Sequence, residues 1–267
     1  MYGLKYYEIG LYLHKPRRMG IMGDNTSGVK RFFEYLPDII QFHKLKNEGL
    51  ARLIFVLVLS CQMAGSYVQY KIMNRISSED MSSILSALSI SAAPEEANVA
   101  MKVIYSMLMV IAVALTVKLV TSLLLSVYMY SYIAELRGKE TGTSASFRGA
   151  FKHLGRLIIY NILFGLLVVM GLMFFVIPGI IAYVIFIFGY CYILDLKLNV
   201  ADAFTASSDI TKKYKVQIAS VFIGFYLMFE LPIALLISGS SLGSAYLAAF
   251  FSTFASLVLQ RLISQLY

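Results

Sequence analysis

The sequence predicts an all-α polytopic membrane protein: six transmembrane helices in three hairpins, with amphipathic helices at the interface. Three observations predict it. First, no charged residue lies between Arg156 and Asp195, and Pro178-Gly179 interrupts this run near its middle. About 20 apolar residues suffice to cross the hydrocarbon core of a bilayer. The run is therefore long enough to cross twice, and Pro178 and Gly179 are read as the turn between the crossings. Second, the chain is 59% hydrophobic and only 14% charged, with a mean hydropathy of +0.73. Soluble domains are typically about 25% charged. Third, the Lys and Arg residues cluster in alternate loops.

The chain divides into a basic amphipathic segment, residues 1–49, and a six-span domain, residues 50–267. In the first segment Lys5, Lys15, Arg17, Arg18, Lys30, Arg31, Lys44 and Lys46 outweigh Glu8, Asp24, Glu34, Asp38 and Glu48. It lacks an apolar stretch followed by a small-residue cleavage site, so no cleavable signal peptide is expected. Gly23 to Gly28 reads as a turn. Phe32, Phe33, Leu36, Ile39, Ile40 and Leu45 then recur at helical spacing, with Pro37 expected to kink or break the helix. Such a helix lies on the membrane surface or packs on the membrane domain.

The spans are expected near 50–70, 103–134, 157–177, 180–194, 216–238 and 242–262. Between the first two, Ser77-Ser78-Glu79-Asp80 has capping-box spacing and opens a short helix. Pro94-Glu95-Glu96 opens the second span, with proline at a permitted position and acids at the positive end of the dipole. That helix runs on to about Leu136, longer than one crossing requires, so part of it tilts, projects or bends. After the fourth span, Asn199 is placed to cap a helix with an apolar face of Val200, Ala203, Phe204 and Ile210. Lys212 and Lys213 close it at the negative end of its dipole. Gly239 to Gly243 turns the chain into the sixth span.

Orientation follows from the loops. The first segment, the second-to-third loop (Arg137, Lys139, Arg148, Lys152, Arg156) and the fourth-to-fifth loop (Lys197, Lys212, Lys213, Lys215) are basic. The opposite side has Lys71, Arg75 and Lys102 against Glu79, Asp80, Glu95 and Glu96. Cytoplasmic loops retain the positive excess, so both termini are expected in the cytoplasm of a cell-membrane protein. Anionic lipid headgroups are the expected partners of these cations, and nucleic acid is not. With no tryptophan in the chain, Tyr67, Tyr70, Tyr128, Tyr130, Tyr132, Tyr190, Tyr192 and Tyr214 are read as the interfacial belt.

Few residues carry chemistry. Lys118 and Glu230 are ionisable groups of opposite sign inside apolar runs. A charge in hydrocarbon is costly, so such a group usually faces the bundle interior and finds a partner. They are expected to pair, either as a substrate or coupling site or as a lock between helices. Pro232, just after Glu230, frees a backbone carbonyl near Met228; that opens a small polar cavity or merely kinks the helix. Gln62, Asn161 and Gln260 are assigned to interhelical hydrogen bonds. Ala245, Ala248, Ala249, Ser252, Ala255 and Ser256 form a small-residue stripe, either internal or a dimer face. Cys61 and Cys191, and the scattered His14, His43 and His153, suit neither a disulfide framework nor a metal site. No cofactor is expected, and no phosphate loop, HExxH or GxSxG motif is present.

Ile177-Pro178-Gly179-Ile180, a span, Asp195, then Ala203 and Ser207 in a helix ending at Lys212 and Lys213 form a recognisable series. It resembles the membrane domain of glycerophosphodiester phosphodiesterases and a related uncharacterised six-helix membrane family common in Gram-positive bacteria. The likeness covers about residues 138–215. It implies a bacterial membrane fold and not phosphodiesterase activity, because nothing matches the soluble catalytic domain. The sequence is thus read first as a non-enzymatic protein of the bacterial cell envelope that organises lipids or a membrane partner. Its site residues on that reading are Pro178, Gly179, Asp195 and the helix from Ala203 to Lys213. The alternative is a transporter or permease subunit using Lys118 and Glu230. A polar cavity reaching Glu230 separates the two.

Overall fold

The computed structural model describes residues 29–74, 94–174, 176–212, 214–237 and 241–267. The expected turn at residues 23–28, the capping box at residues 77–80, and His14, Arg75 and Lys213 lie outside them. Among the described residues every regular element is helical. Six segments of the described residues are long and apolar enough to cross a membrane: Glu48–Met73, Met101–Leu136, Leu154–Phe174, Ile177–Asp195, Lys215–Leu235 and Leu242–Leu266. The protein is an all-α polytopic membrane protein.

Helix α1 (Phe32–Ile40) keeps Pro37 inside it. Proline there removes only the bond to the Phe33 carbonyl, close to an end where such groups reach solvent. The helix packs on the membrane domain. Ile39 is fully buried beside Val221, Val258 and Leu262, and Phe32 lies against Gly224, where a Cβ would come within 2.8 Å of its ring. Phe33 points away and is 74% exposed, which suits a helix at a lipid boundary.

Helix α2 (Glu48–Met73) begins at Asn47, whose side chain accepts a hydrogen bond from Leu50 N–H at 3.2 Å. It buries Leu50, Ile54 and Val58 at fourfold spacing and is followed by α3 (Pro94–Leu136). At 1.5 Å per residue α3 is about 64 Å long, roughly twice the hydrocarbon thickness. Its second half packs through Leu125, Tyr128, Met129 and Tyr132. Its first half exposes Met101, Tyr105, Leu108 and Leu115. Exposed apolar side chains on a spanning helix are solvated by lipid tails.

Helix α4 (Thr143–Phe151) joins α3 to α5 (Leu154–Phe174). The third and fourth spans meet earlier than expected, because α6 (Val176–Phe186) already contains Pro178 and Gly179. Helix α5 ends at Phe174 and α6 begins at Val176, and the two helices pack against each other. Pro178 sits in the first helical turn, where its missing N–H has no partner to lose. Gly179 is there for contact: a Cβ on Gly171 would come within 2.8 Å of the Gly179 Cα. The pair lets α5 and α6 touch backbone to backbone.

The fourth span is broken at Ile187-Phe188 and resumes as α7 (Gly189–Asp195). The break frees carbonyls that a continuous helix would satisfy. Tyr160 O–H donates to the Phe186 carbonyl, and Ser207 O–H donates to the Ile185 carbonyl at 2.6 Å. Ser207 belongs to α8 (Val200–Thr211), capped by Asn199, which accepts from Asp202 N–H at 2.8 Å. Ala203, Ser207 and Thr211 are buried against the spans.

The fifth span comprises α9 (Lys215–Phe225), a π-helical turn (Tyr226–Glu230) and α10 (Leu231–Ile237). The sixth is α11 (Leu242–Leu266).

One end of the bundle gathers the basic loops. Lys46 pairs with Glu140 at 3.0 Å, Arg137 with Asp195, and Arg156 donates to the Lys197 carbonyl at 2.6 Å. That bond holds Lys197 in the left-handed region, φ 58°, a conformation that non-glycine residues rarely take.

Buried His153 sits in the same group. Burial, then the charges of Arg156, Lys197 and Lys152, hold its imidazole below the usual range. The unfolded chain therefore binds that proton more readily than the folded one. His153 adds no pH dependence above the unfolded value near 6.5, and stability is lost as pH falls below it. Thermal melts from about pH 7.5 to about pH 5.5 are expected to show this loss, reduced in His153→Gln.

Candidate functional site

A cavity of about 1100 Å³ lies between the spans. Its lining runs from Asn74 and Ser241, at the end opposite the basic loops, down to Met129, Tyr190 and Ile263. Helices α2, α3 and α11 form most of its walls. Phe164, Tyr183 and Glu230 also line it.

The polar residues arrive on helical faces. Gln62, Ser66 and Gln69 on α2 recur at spacings of four and three, which puts them on one face. On α3, Lys118, Ser122 and Ser126 recur every fourth residue, with Thr121 beside them. On α11, Ala245, Ala249, Ser252 and Ser256 continue to Gln260. The small-residue stripe is therefore internal: Ala248 and Ala249 are about 95% buried, 4% and 5% exposed, and Ala255 is fully buried. Much of the stripe leaves room instead of letting helices touch. Gln62 and Gln260, assigned above to packing, line this space. Asn161 does bridge helices, donating to Ser122 Oγ at 2.5 Å.

Glu230 is placed by the π turn. Pro232 has no N–H, so the Met228 carbonyl loses its helical donor. The backbone widens just before it, and Leu231 N–H bonds five residues back to the Tyr226 carbonyl. The extra residue rephases the helix. Glu230 lines the cavity, while Leu227, Met228 and Leu231 remain exposed to lipid. Single π turns inside helices are frequent at functional sites.

Lys118 lines the same cavity as Glu230. The two form no direct ion pair: among the described residues neither has an oppositely charged side chain in contact. Thr121 Oγ1 is buried without a hydrogen-bond partner.

The remaining expected residues lie elsewhere. Pro178 and Gly179 sit at the α5–α6 contact. Asp195 is buried beside Arg137 and Tyr267, whose O–H donates to it at 3.0 Å. Burial pushes the Tyr267 hydroxyl up, so it stays protonated and donates. Ala203 and Ser207 hold α8 against the broken span. Lys212 bonds Asp209 at 2.7 Å with both side chains more than half exposed, a geometry worth little energetically.

The tyrosine belt needs correction. Tyr128, Tyr132 and Tyr192 are buried, because their helix faces turn inward to the last span and the C-terminal residue. Tyr128 O–H donates to the Phe42 carbonyl at 2.9 Å, and the Tyr192 ring meets Tyr267 at 4.9 Å. Tyr67, 43% exposed, keeps the expected position.

Arg261 was not singled out from the sequence. It is only 9% exposed, lies 4.6 Å over the Tyr132 ring and donates to the Gln41 carbonyl at 2.8 Å. It ties the last span to the segment before the first. Its place beside the expected boundary at 262 was the available signal.

Among the described residues no cluster of histidine, cysteine or carboxylate side chains is built to hold a metal. Comparison with protein-family models, curated proteins and solved structures returns no match.

Proposed function

We propose that this protein is a transporter or permease subunit that admits a solute to the intramembrane cavity. The observation that carries the reading is a cavity between the spans whose lining includes Glu230, Lys118 and polar residues from three helices. Charged groups inside a membrane domain mark substrate or ion paths by default, and pockets between bundled helices are common ligand sites.

On this reading the basic end, with its excess of Lys and Arg, lies in the cytoplasm against anionic headgroups. On that orientation the Asn74 and Ser241 end of the cavity faces outward. The resemblance over residues 138–215 adds a bacterial cell membrane to this reading and no chemistry.

The scaffold reading draws on the cytoplasmic helices. Its main docking element, α8, already spends its Ala203, Ser207 and Thr211 face on the protein's own spans. Little of that face is left for a partner.

Cysteine accessibility separates the readings. In a Cys61→Ser background, Ser126→Cys places a thiol deep in the cavity. The full chain is reconstituted in liposomes and treated with membrane-impermeant trimethylammonium-ethyl methanethiosulfonate from each face. Transport predicts modification of Ser126→Cys from either side in separate experiments. Modification from one side only, or from neither, overturns transport.

A further inference from the structure

The cavity holds a carboxylate and an ammonium group that do not touch. Both belong to residues lining one space, and among the described residues neither finds another counter-charge. Glu230 is half-buried and Lys118 exposed on a membrane-spanning segment, where an uncompensated charge is costly in hydrocarbon. Two charges that locked helices would form an ion pair; these two line one cavity without forming one.

Each charge has suitable company. Beside Lys118, Thr121 Oγ1 is buried and lacks a partner; a hydroxyl next to an ammonium suits an anionic oxygen. On the Glu230 side, Tyr183 and Phe164 line the same wall, their rings 5.7 Å apart. Aromatic faces beside a carboxylate suit a substituted ammonium. The volume, about 1100 Å³, exceeds the usual upper range for small-ligand pockets, roughly 1,000 Å³. It leaves space for an apolar portion along the Ala245 to Ala249 stripe.

We propose that the cavity binds a zwitterion, an ammonium group covalently linked to an anionic group, with its cation at Glu230 and its anion at Lys118 and Thr121. A free zwitterionic solute and a zwitterionic lipid headgroup share this chemistry. The inference rests on the cavity being a ligand site. It is tested by binding alone, so a failure of transport in the thiol experiment leaves it standing, and the reverse.

The chain contains no tryptophan, so Val110→Trp, on the cavity lining about two helical turns from Lys118, creates a fluorescence reporter without background. The full-length reporter in phosphatidylglycerol nanodiscs is titrated with phosphoethanolamine, and separately assembled with increasing phosphatidylethanolamine. Ethanolamine and inorganic phosphate serve as single-charge controls.

A saturable change with phosphoethanolamine identifies a free zwitterion, and one only with phosphatidylethanolamine identifies a lipid headgroup. Each control is expected to bind at least tenfold more weakly. Glu230→Gln and Lys118→Met are each expected to weaken binding at least tenfold. The charge swap, Lys118→Glu with Glu230→Lys, is expected to stay within about threefold, since a zwitterion can turn end for end.

Equal binding of either control overturns the proposal, and so does the absence of a saturable signal with both zwitterions. The control comparison uses the reporter alone, so it decides the matter even where a charge variant fails to fold.

Discussion

Valine at Gly189 is expected to destabilise the protein by about 3 kcal/mol, the larger share coming from overpacking a closed site. Even a Cβ at this position meets the Tyr160 hydroxyl and ring inside normal contact distance. Tyr160 cannot yield cheaply. It is fully buried, stacked on Phe204 with centroids 4.4 Å apart, and its hydroxyl satisfies the Phe186 carbonyl freed by the helix break. Displacing the ring strands that carbonyl, and an unsatisfied buried acceptor costs roughly 1–3 kcal/mol. Thermal unfolding in detergent, followed by circular dichroism, measures the loss. A cycle with Gly189→Ala and Tyr160→Leu isolates the contact. The double variant should be less destabilised than the sum of the singles, because removing the ring removes the clash. Strict additivity would mean that the two side chains do not compete for this space.

The second large effect is expected at Asp195. Its carboxylate is 6% exposed and paired with Arg137, which is 34% exposed. It also accepts the Tyr267 hydroxyl. Breaking a fully buried ion pair from one side costs about 3–5 kcal/mol. Water reaches part of Arg137, so Asp195→Ala is expected to cost about 2 kcal/mol. Asp195→Asn keeps the shape and an acceptor for Tyr267, and should recover part of this. The same melts read both variants. The contact joins the end of the second span, the end of the fourth and the last residue of the chain. Its loss should therefore increase protease sensitivity at the basic end before it changes the cavity. Unchanged melting of Asp195→Ala would show that the three elements are held by packing alone.

Much of this was legible without coordinates. The spans follow from runs of apolar residues whose length matches a bilayer, a one-dimensional property. Asn199 as a cap and the long second helix are local as well. The turn read at Pro178-Gly179 was misplaced, because both residues lie inside α6. Proline and glycine ordinarily mark turns, but here they serve the first turn of the next helix and a backbone contact with Gly171. Tyr128, Tyr132 and Tyr192 departed from the expected belt for a different reason. Span ends can be located from sequence, but which face turns inward depends on neighbours far along the chain.

The candidate site divides the same way. Lys118 and Glu230 stood out because charge is rare in apolar runs. Gln62 was read alone, as an interhelical amide; that it shares a face with Ser66 and Gln69 emerged only with the cavity.

Composition and apolar run length alone determined an α-helical chain crossing a membrane six times, because the energetics of lipid act on each segment separately. The tertiary structure decided that the small-residue stripe borders open space. It also decided that Lys118 and Glu230 line one cavity without forming an ion pair and that hydroxyls from Tyr160 and Ser207 mend a broken span. Those outcomes depend on how helices distant in sequence are set against one another, and close packing determines that collectively.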